Sequence, residues 1–287
     1  MTEEHARNVP ASVGVLGGGR MGGGIAHAFL VSGAAVVVVE VSAAAAEAAR
    51  ERIEADLAKS LERGKLDGNL DQWAQRLRVS VDYGDFAGCD LVVEAVPEAW
   101  DLKVASLREI EASVDESAWI ATNTSSLSVD GLAAELQRPE RFCGLHFFNP
   151  VPASKLVEVV LGERTSPELV SLAPTWVGGL GKTPVTVHDA PGFASSRLGV
   201  AIALEAIRMV EDGVATAEDI DNAMVLGYKF PVGPLALTDI VGLDVRLGIA
   251  EYLAAELGER FEPPQLMRDM VARGELGRKS GKGFYSY

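Results

Sequence analysis

Thiols are almost absent from this chain of 287 residues, in which Cys89 and Cys143 are the only two. That excludes a disulfide-stapled scaffold and a cysteine-rich metal centre, and it fits a reducing compartment. Histidine is nearly as scarce, with His5, His27, His146 and His188 the only four, and no metal site is expected. Aromatic residues make up 6% of the chain, so Ala, Val, Leu and Gly must fill most of the core that its 48% apolar content can build. Positive charge is outweighed as well: 26 Lys and Arg stand against 41 Asp and Glu, a net charge of −15. Binding to nucleic acid is therefore not expected, because phosphate contact needs a basic surface. An anionic substrate would have to meet local positive charge that overrides the global field. No run approaches the ~20 apolar residues of a membrane span, and no basic leader with a long apolar stretch is visible. The expectation is a soluble, cytoplasmic protein without membrane contact, whose polar start from Met1 to Pro10 frays.

The length suits two packed domains. In the first part of the chain, short β-branched runs alternate with Ala-rich helical stretches. Val13 to Leu16, Val36 to Val39, Leu77 to Val81, Leu91 to Val96, Trp119 to Ala121 and Cys143 to Phe148 read as buried strands. Met21 to Ser32, Ala43 to Gly64 and Asp101 to Val114 read as helices between them. Near-continuous apolar strands separated by helices imply a parallel sheet covered on both faces. Leu156 to Leu161 and Pro184 to Val187 would extend it. The pattern changes at Ala190-Pro191-Gly192, after which no convincing strand remains. Phe193 to Glu211 is a long amphipathic helix candidate that Gly213 can stop, and Thr216 with Asp219 caps the next. The expected domains are 1–189, α/β, and 190–287, all-helical.

Gly17-Gly18-Gly19-Arg20-Met21-Gly22 matches G-x-G-x-x-G. Alone this is weak in a chain with 30 glycines, but it directly follows a buried strand and opens a helix. Gly17 would permit the tight turn, Gly19 would let the backbone approach a pyrophosphate, and Gly22 would let helix and strand pack closely. The helix start then offers free N–H groups to the phosphates. The next strand ends in Glu40, 23 residues after Gly17, close to the usual spacing of the ribose-binding acid. A carboxylate there accepts from both ribose hydroxyls and repels a 2′-phosphate, which favours NAD over NADP. The same residues also read as a glycine-rich turn with a solvated Glu at a strand end; three elements in register favour the cofactor and a Rossmann-type fold.

The middle and end of the chain carry a resemblance. Asn123-Thr-Ser-Ser-Leu-Ser128, Gly144-Leu-His-Phe-Phe-Asn-Pro150 and Lys155-Leu-Val-Glu-Val159 are similar to core segments of the 3-hydroxyacyl-CoA dehydrogenase family. So are Pro191-Gly-Phe193, Glu218-Asp-Ile-Asp221, Gly233-Pro234, Gly242-Leu-Asp244 and Gly281-Lys-Gly-Phe-Tyr285. The likeness runs from about Val13 to Tyr287 and is strongest to short, single-function members such as 3-hydroxybutyryl-CoA dehydrogenases. It implies hydride transfer between NAD and the 3-hydroxyl of a short-chain 3-hydroxyacyl-CoA, and a homodimer formed through the helical domain. Within that domain Leu198, Ile202, Ala206 and Met209 fall at helical spacing, a stripe that reads equally as plain core.

Oxidising an alcohol by hydride transfer needs a base for the hydroxyl proton, and an imidazole titrates near working pH. His146 is the candidate base and Glu158, twelve residues later, the carboxylate that could fix its tautomer. From spacing alone, a core histidine beside a solvated glutamate is the preferred reading; the resemblance reverses that order. It further implies that Ser125 bonds the reacting oxygen, that Asn123 lies near the nicotinamide ribose, and that Glu98 and Lys103 contact the cofactor. Each also reads as an ordinary polar residue at a strand end or helix start, Ser125 as a helix cap. One position departs from the family: the asparagine usually found after Pro-Gly-Phe, which helps hold substrate, is Ser196 here, a shorter side chain. For CoA, Arg52, Lys59 and Arg63 share one helix face, which serves equally as a binding patch or a solvated face. The rival functions are a related NAD-dependent dehydrogenase of a free hydroxy acid, of the sugar-acid or carnitine type, and a non-catalytic NAD-binding protein.

Overall fold

The computed structural model describes residues 8–287. The expectation of a frayed start thus falls mostly on residues outside the described ones, as does His5. Contacts divide the chain into a first unit ending at Ala190 and a second at Pro191–Tyr287.

The first unit is built on one eight-stranded sheet. Its strands are β1 (Ser12–Leu16), β2 (Ala35–Val39), β3 (Leu77–Ser80), β4 (Leu91–Glu94), β5 (Trp119–Thr122), β6 (Phe142–Phe147), β7 (Leu156–Leu161) and β8 (Thr183–His188). Their order is β3-β2-β1-β4-β5-β6-β7-β8, whose first six positions follow the dinucleotide-binding order 3-2-1-4-5-6. Six of the seven pairings are parallel. The exception is β7, which runs antiparallel to β6. Residues 148–155 between them are too few for a crossover, so the chain doubles back instead. The helices are α1 (Arg20–Val31), α2 (Ala43–Glu62), α3 (Leu70–Ala74), α4 (Trp100–Ser113), α5 (Val129–Ala134) and α6 (Pro167–Gly179). The core is aliphatic, as the dearth of aromatics requires: Val13, Val15, Val38, Val93, Ile25 and Leu30 are all fully buried.

The second unit is helical: α7 (Ser195–Glu211), α8 (Ala217–Asn222), α9 (Pro234–Val241), α10 (Leu243–Leu257) and α11 (Gln265–Ala272). Helix α7 begins two residues later than its amphipathic pattern suggests. Gly192 at φ 74° and Phe193 at φ 47° turn the chain through left-handed backbone before the helix can start. Its buried face, Val200, Leu204 and Ile207, joins Leu235, Ala250, Leu253 and Met267 in one core. The Leu198–Met209 stripe is not one surface: Leu198 and Ile202 are exposed, whereas Ala206 is buried. Thr216 caps α8 as expected, accepting from Asp219 N at 3.1 Å. Asp221 and Asp239 explain the closing Gly281-Lys-Gly-Phe-Tyr285. Asp221 accepts from Leu235 N, Ala236 N and Tyr285 Oη, each at 2.8 Å. Asp239 accepts from Phe284 N at 3.0 Å and Tyr285 N at 2.9 Å. Two buried carboxylates thus satisfy a helix start and clasp the tail.

Candidate active site

The glycine turn between β1 and α1 is shaped for a phosphate. Gly17 sits at φ +86°, and a Cβ there would press on Ala95 O at 3.1 Å. A Cβ on Gly22 would lie 1.7 Å from Gly17 O, so only glycine lets α1 start this close to β1. Gly19 is the opposite case: nothing lies within 4 Å of where its Cβ would be, so its backbone faces open space. The N-terminus of α1 has no side-chain cap and no acidic residue in its first turn, leaving N–H groups and dipole for an anion. Glu40, just past β2, reaches across to this turn. Its Oε1 accepts from Gly18 N at 2.6 Å and its Oε2 from Val41 N at 3.1 Å. These residues fit a dinucleotide with a free adenine-ribose diol.

Arg52 and Lys59 both lie on α2, and each has a partner of its own. Arg52 Nη1 donates to Gly18 O at 2.6 Å, which braces the glycine turn. Lys59 donates to Asp56 at 3.1 Å.

At the carboxyl ends of β4 and β5 a buried ion pair underlies the site. Glu94 and Lys103 are both fully buried, with Nζ 2.8 and 3.0 Å from the two carboxylate oxygens. Glu94 also accepts from Val96 N at 2.7 Å and Thr122 Oγ1 at 2.6 Å. Lys103 Nζ lies 3.3 Å from Glu98 as well. Lys103, expected to contact the cofactor, has no exposed area here and acts as an internal strut. Glu98 is the hub above it. Its Oε1 accepts from Thr124 Oγ1 at 2.6 Å, Ser125 N at 2.8 Å, Ser126 N and Oγ at 3.0 Å, and Ser125 Oγ at 3.3 Å. Burial alone would push the Glu98 carboxyl up, but the Lys103 charge and the Thr124, Ser125 and Ser126 bonds outweigh it, and it lies below its ordinary range. The Ser125 hydroxyl makes the longest of these bonds, so it is the one most readily redirected to a bound oxygen.

Strand β6 carries His146 near its carboxyl end, directly opposite Glu158 in the β6–β7 ladder. In an antiparallel pair, facing residues point to the same side of the sheet, and His146 Nδ1 meets Glu158 Oε2 at 2.8 Å. His146 is 6% exposed and Glu158 fully buried. The Phe148 ring lies 4.4 Å from the imidazole, centroid to centroid. Asn123 holds the neighbouring strand in place, its Oδ1 accepting from Phe147 N at 2.9 Å. Ser196 lies apart from these residues in sequence, in the first turn of α7 and partly buried.

Glu94 was not foreseen from sequence; its signal is a lone carboxylate inside the apolar run Leu91-Val-Val-Glu-Ala-Val96. Among the described residues, no cluster of three or more His, Cys, Asp or Glu is placed to hold a metal, and no helix is long and apolar enough to cross a membrane.

Comparison with known proteins supplies the remaining facts. Residues 12–190 match the family described as 3-hydroxyacyl-CoA dehydrogenase, NAD binding domain, and residues 192–287 match its C-terminal domain. A probable 3-hydroxybutyryl-CoA dehydrogenase of Deinococcus radiodurans is 43% identical over 96% of this chain and 99% of its own length. A 3-hydroxybutyryl-CoA dehydrogenase of Mycobacterium tuberculosis is 41% identical over 96% of this chain and 98% of its own. The crystal structure of (S)-3-hydroxybutyryl-CoA dehydrogenase from Ralstonia eutropha superposes with a TM-score of 0.92 at 41% identity, covering 97% of this chain and 99% of that one.

Proposed function

The chain belongs to the 3-hydroxyacyl-CoA dehydrogenase family, as an NAD-dependent oxidoreductase on a Rossmann-type domain, and on that premise we propose that it interconverts a short-chain 3-hydroxyacyl-CoA and the corresponding 3-ketoacyl-CoA. The observation that carries this reading is the His146–Glu158 pair, buried and bonded across β6 and β7. His146 Nε2 takes the proton of the 3-hydroxyl. Glu158 keeps a proton on Nδ1, so that Nε2 presents its lone pair, and then stabilises the imidazolium that forms. Burial strengthens that stabilisation, because little water competes for either charge. Ser125, steadied by Glu98, bonds the reacting oxygen. NAD, when bound, accepts the hydride from the carbinol carbon.

The uncapped start of α1 and the open backbone at Gly19 receive the pyrophosphate, with Gly17 and Gly22 setting the turn. Glu40 bonds the adenine ribose. Asn123 has its oxygen committed to Phe147, so it meets the nicotinamide ribose with its amide hydrogens. Lys59 is the exposed cation for CoA, Arg52 contributes through the turn it braces, and Ser196 holds the acyl-thioester part. Two copies pair through the helical unit, using the exposed Leu198 and Ile202, and light scattering should give twice the 30.3 kDa of one chain. Acetoacetyl-CoA with NADH tests the activity: steady oxidation of NADH is expected. Its absence with acetoacetyl-CoA, alongside turnover of a free 3-keto acid, would overturn the thioester reading.

A further inference from the structure

Glu94 lies outside the set His146, Glu158 and Ser125, yet its bonds lead to both ends of the segment that carries Ser125. It ends β4 without exposed area, and its cation Lys103 is equally buried. An apolar pair of similar size would join β4 to α4 as well or better, because taking two charges out of water costs about as much as their attraction returns. An apolar pair could not accept hydrogen bonds. The Glu94 carboxylate accepts from Lys103 Nζ, from Val96 N at 2.7 Å and from Thr122 Oγ1 at 2.6 Å. Its main-chain oxygen accepts from Asn123 N at 2.8 Å.

These bonds close a circuit around residues 122–126. At one end of that segment, Thr122 and Asn123 are tied to Glu94 directly. At the other end, Thr124, Ser125 and Ser126 are tied to Glu98 Oε1. Glu98 Oε2 lies 3.3 Å from Lys103 Nζ, and Lys103 leads back to Glu94. The segment is thus fixed at both ends to one buried carboxylate. It also holds the strand of the base. Thr122 is paired with Gly144, two residues before His146, and Asn123 Oδ1 accepts from Phe147 N, one residue after it. The same carboxylate therefore governs where Ser125 stands and where β6 lies against it.

We propose that Glu94 is a positioning residue, which through Thr122 and through Lys103 sets the placement of Ser125 relative to His146, and with it the rate of the chemical step rather than the binding of substrate. This rests on the dehydrogenase reading above, in which those two side chains meet the same oxygen. A misplacement of about 1 Å in such a geometry costs on the order of 10²-fold in rate. The bonds that run through Thr122 can be removed one at a time, because its side chain is fully buried and valine has the same shape without the hydroxyl.

The experiment compares Thr122→Val, which loses a Glu94 bond, with Thr122→Ser, which keeps the hydroxyl. A double variant, Glu94→Gln with Lys103→Met, replaces the ion pair by a neutral pair of similar volume. Each is assayed with acetoacetyl-CoA and NADH at a temperature where circular dichroism shows it folded, with rates expressed per titrated NADH site. Single-turnover oxidation of NADH should slow by about tenfold or more in Thr122→Val and in the double variant. KM for acetoacetyl-CoA should stay within about threefold of the wild type, and Thr122→Ser should recover most of the rate. A wild-type single-turnover rate in Thr122→Val overturns the proposal. So does a normal rate in the folded double variant, which would leave the ion pair a packing device, and so does a loss confined to KM. Should Thr122→Val fail to fold, the double variant decides. A wild-type protein that does not oxidise NADH with acetoacetyl-CoA overturns the dehydrogenase reading and this one with it; wild-type turnover with unaffected variants overturns this one alone.

Discussion

Replacing Lys103 by Met separates an internal strut from a cofactor ligand. Lys103 and Glu94 have no exposed area and are joined by two bonds of 2.8 and 3.0 Å. Met fills a similar volume but leaves the buried Glu94 carboxyl without its cation, with only Val96 N and Thr122 Oγ1 as donors. Removing one partner of a buried pair costs about 3–5 kcal/mol, which for a domain of this size is on the order of 10 °C in Tm. Because Glu94 drives that cost, adding Glu94→Gln to Lys103→Met should recover about 2 kcal/mol of it. Urea and thermal unfolding of the wild type, both single variants and the double variant measure this. Acid unfolding adds an independent readout. The Glu98 carboxyl lies below its ordinary 4.5, so its contribution to stability is present above that pH and is lost as pH falls through the lowered value. Without the Lys103 charge that value rises, and Lys103→Met should unfold at a higher pH than the wild type. If Lys103→Met unfolds within about 1 kcal/mol of the wild type while NADH binding weakens, Lys103 touches the cofactor and the strut argument is wrong.

Three further outcomes are expected. Glu40→Ala should weaken a clear wild-type preference for NADH over NADPH, read as the ratio of kcat/KM values; comparable values for both cofactors in the wild type would remove Glu40 from the ribose. His146→Gln and Glu158→Gln should each lower kcat by on the order of 10²–10⁴, and the double variant by much less than the product, since the two act as a unit; near-normal turnover in His146→Gln excludes it as the base. Gly22→Ala, whose methyl would fall 1.7 Å from Gly17 O, should destabilise the first unit by about 3 kcal/mol or more in urea unfolding and abolish NADH binding; a wild-type midpoint would show that α1 can withdraw from β1.

Much of the fold was legible because its signals are local. A strand of consecutive valines, a glycine turn and an alanine-rich helix each announce themselves within a dozen residues, and β1, α1 and β2 lie within one residue of their expected bounds. The antiparallel turn of β7 was not legible, since nothing in Leu156 to Leu161 says which way the strand runs. The start of α7 was misjudged because periodicity at Phe193 is blind to its φ of 47°. In the site, the separate residues were visible but their dependence was not. In sequence, Glu98 and Lys103 also read as ordinary polar residues at a strand end and a helix start; the fold makes one a hub for Thr124, Ser125 and Ser126 and seals the other beneath it.

The pairing of His146 with Glu158 is a property of a ladder, not of a loop. A slip of one residue between β6 and β7 would turn the carboxylate to the far side of the sheet, so the alignment is guarded by every other rung, from Gly144 with Val160 to Phe147 with Val157. The eight residues 148–155 that join the strands carry no such duty. Insertions or deletions there would change the twelve-residue spacing and leave the two side chains face to face. A search for this machinery by fixed spacing would then miss enzymes that possess it, whereas a search for an acid and a base on facing rungs of one hairpin would not.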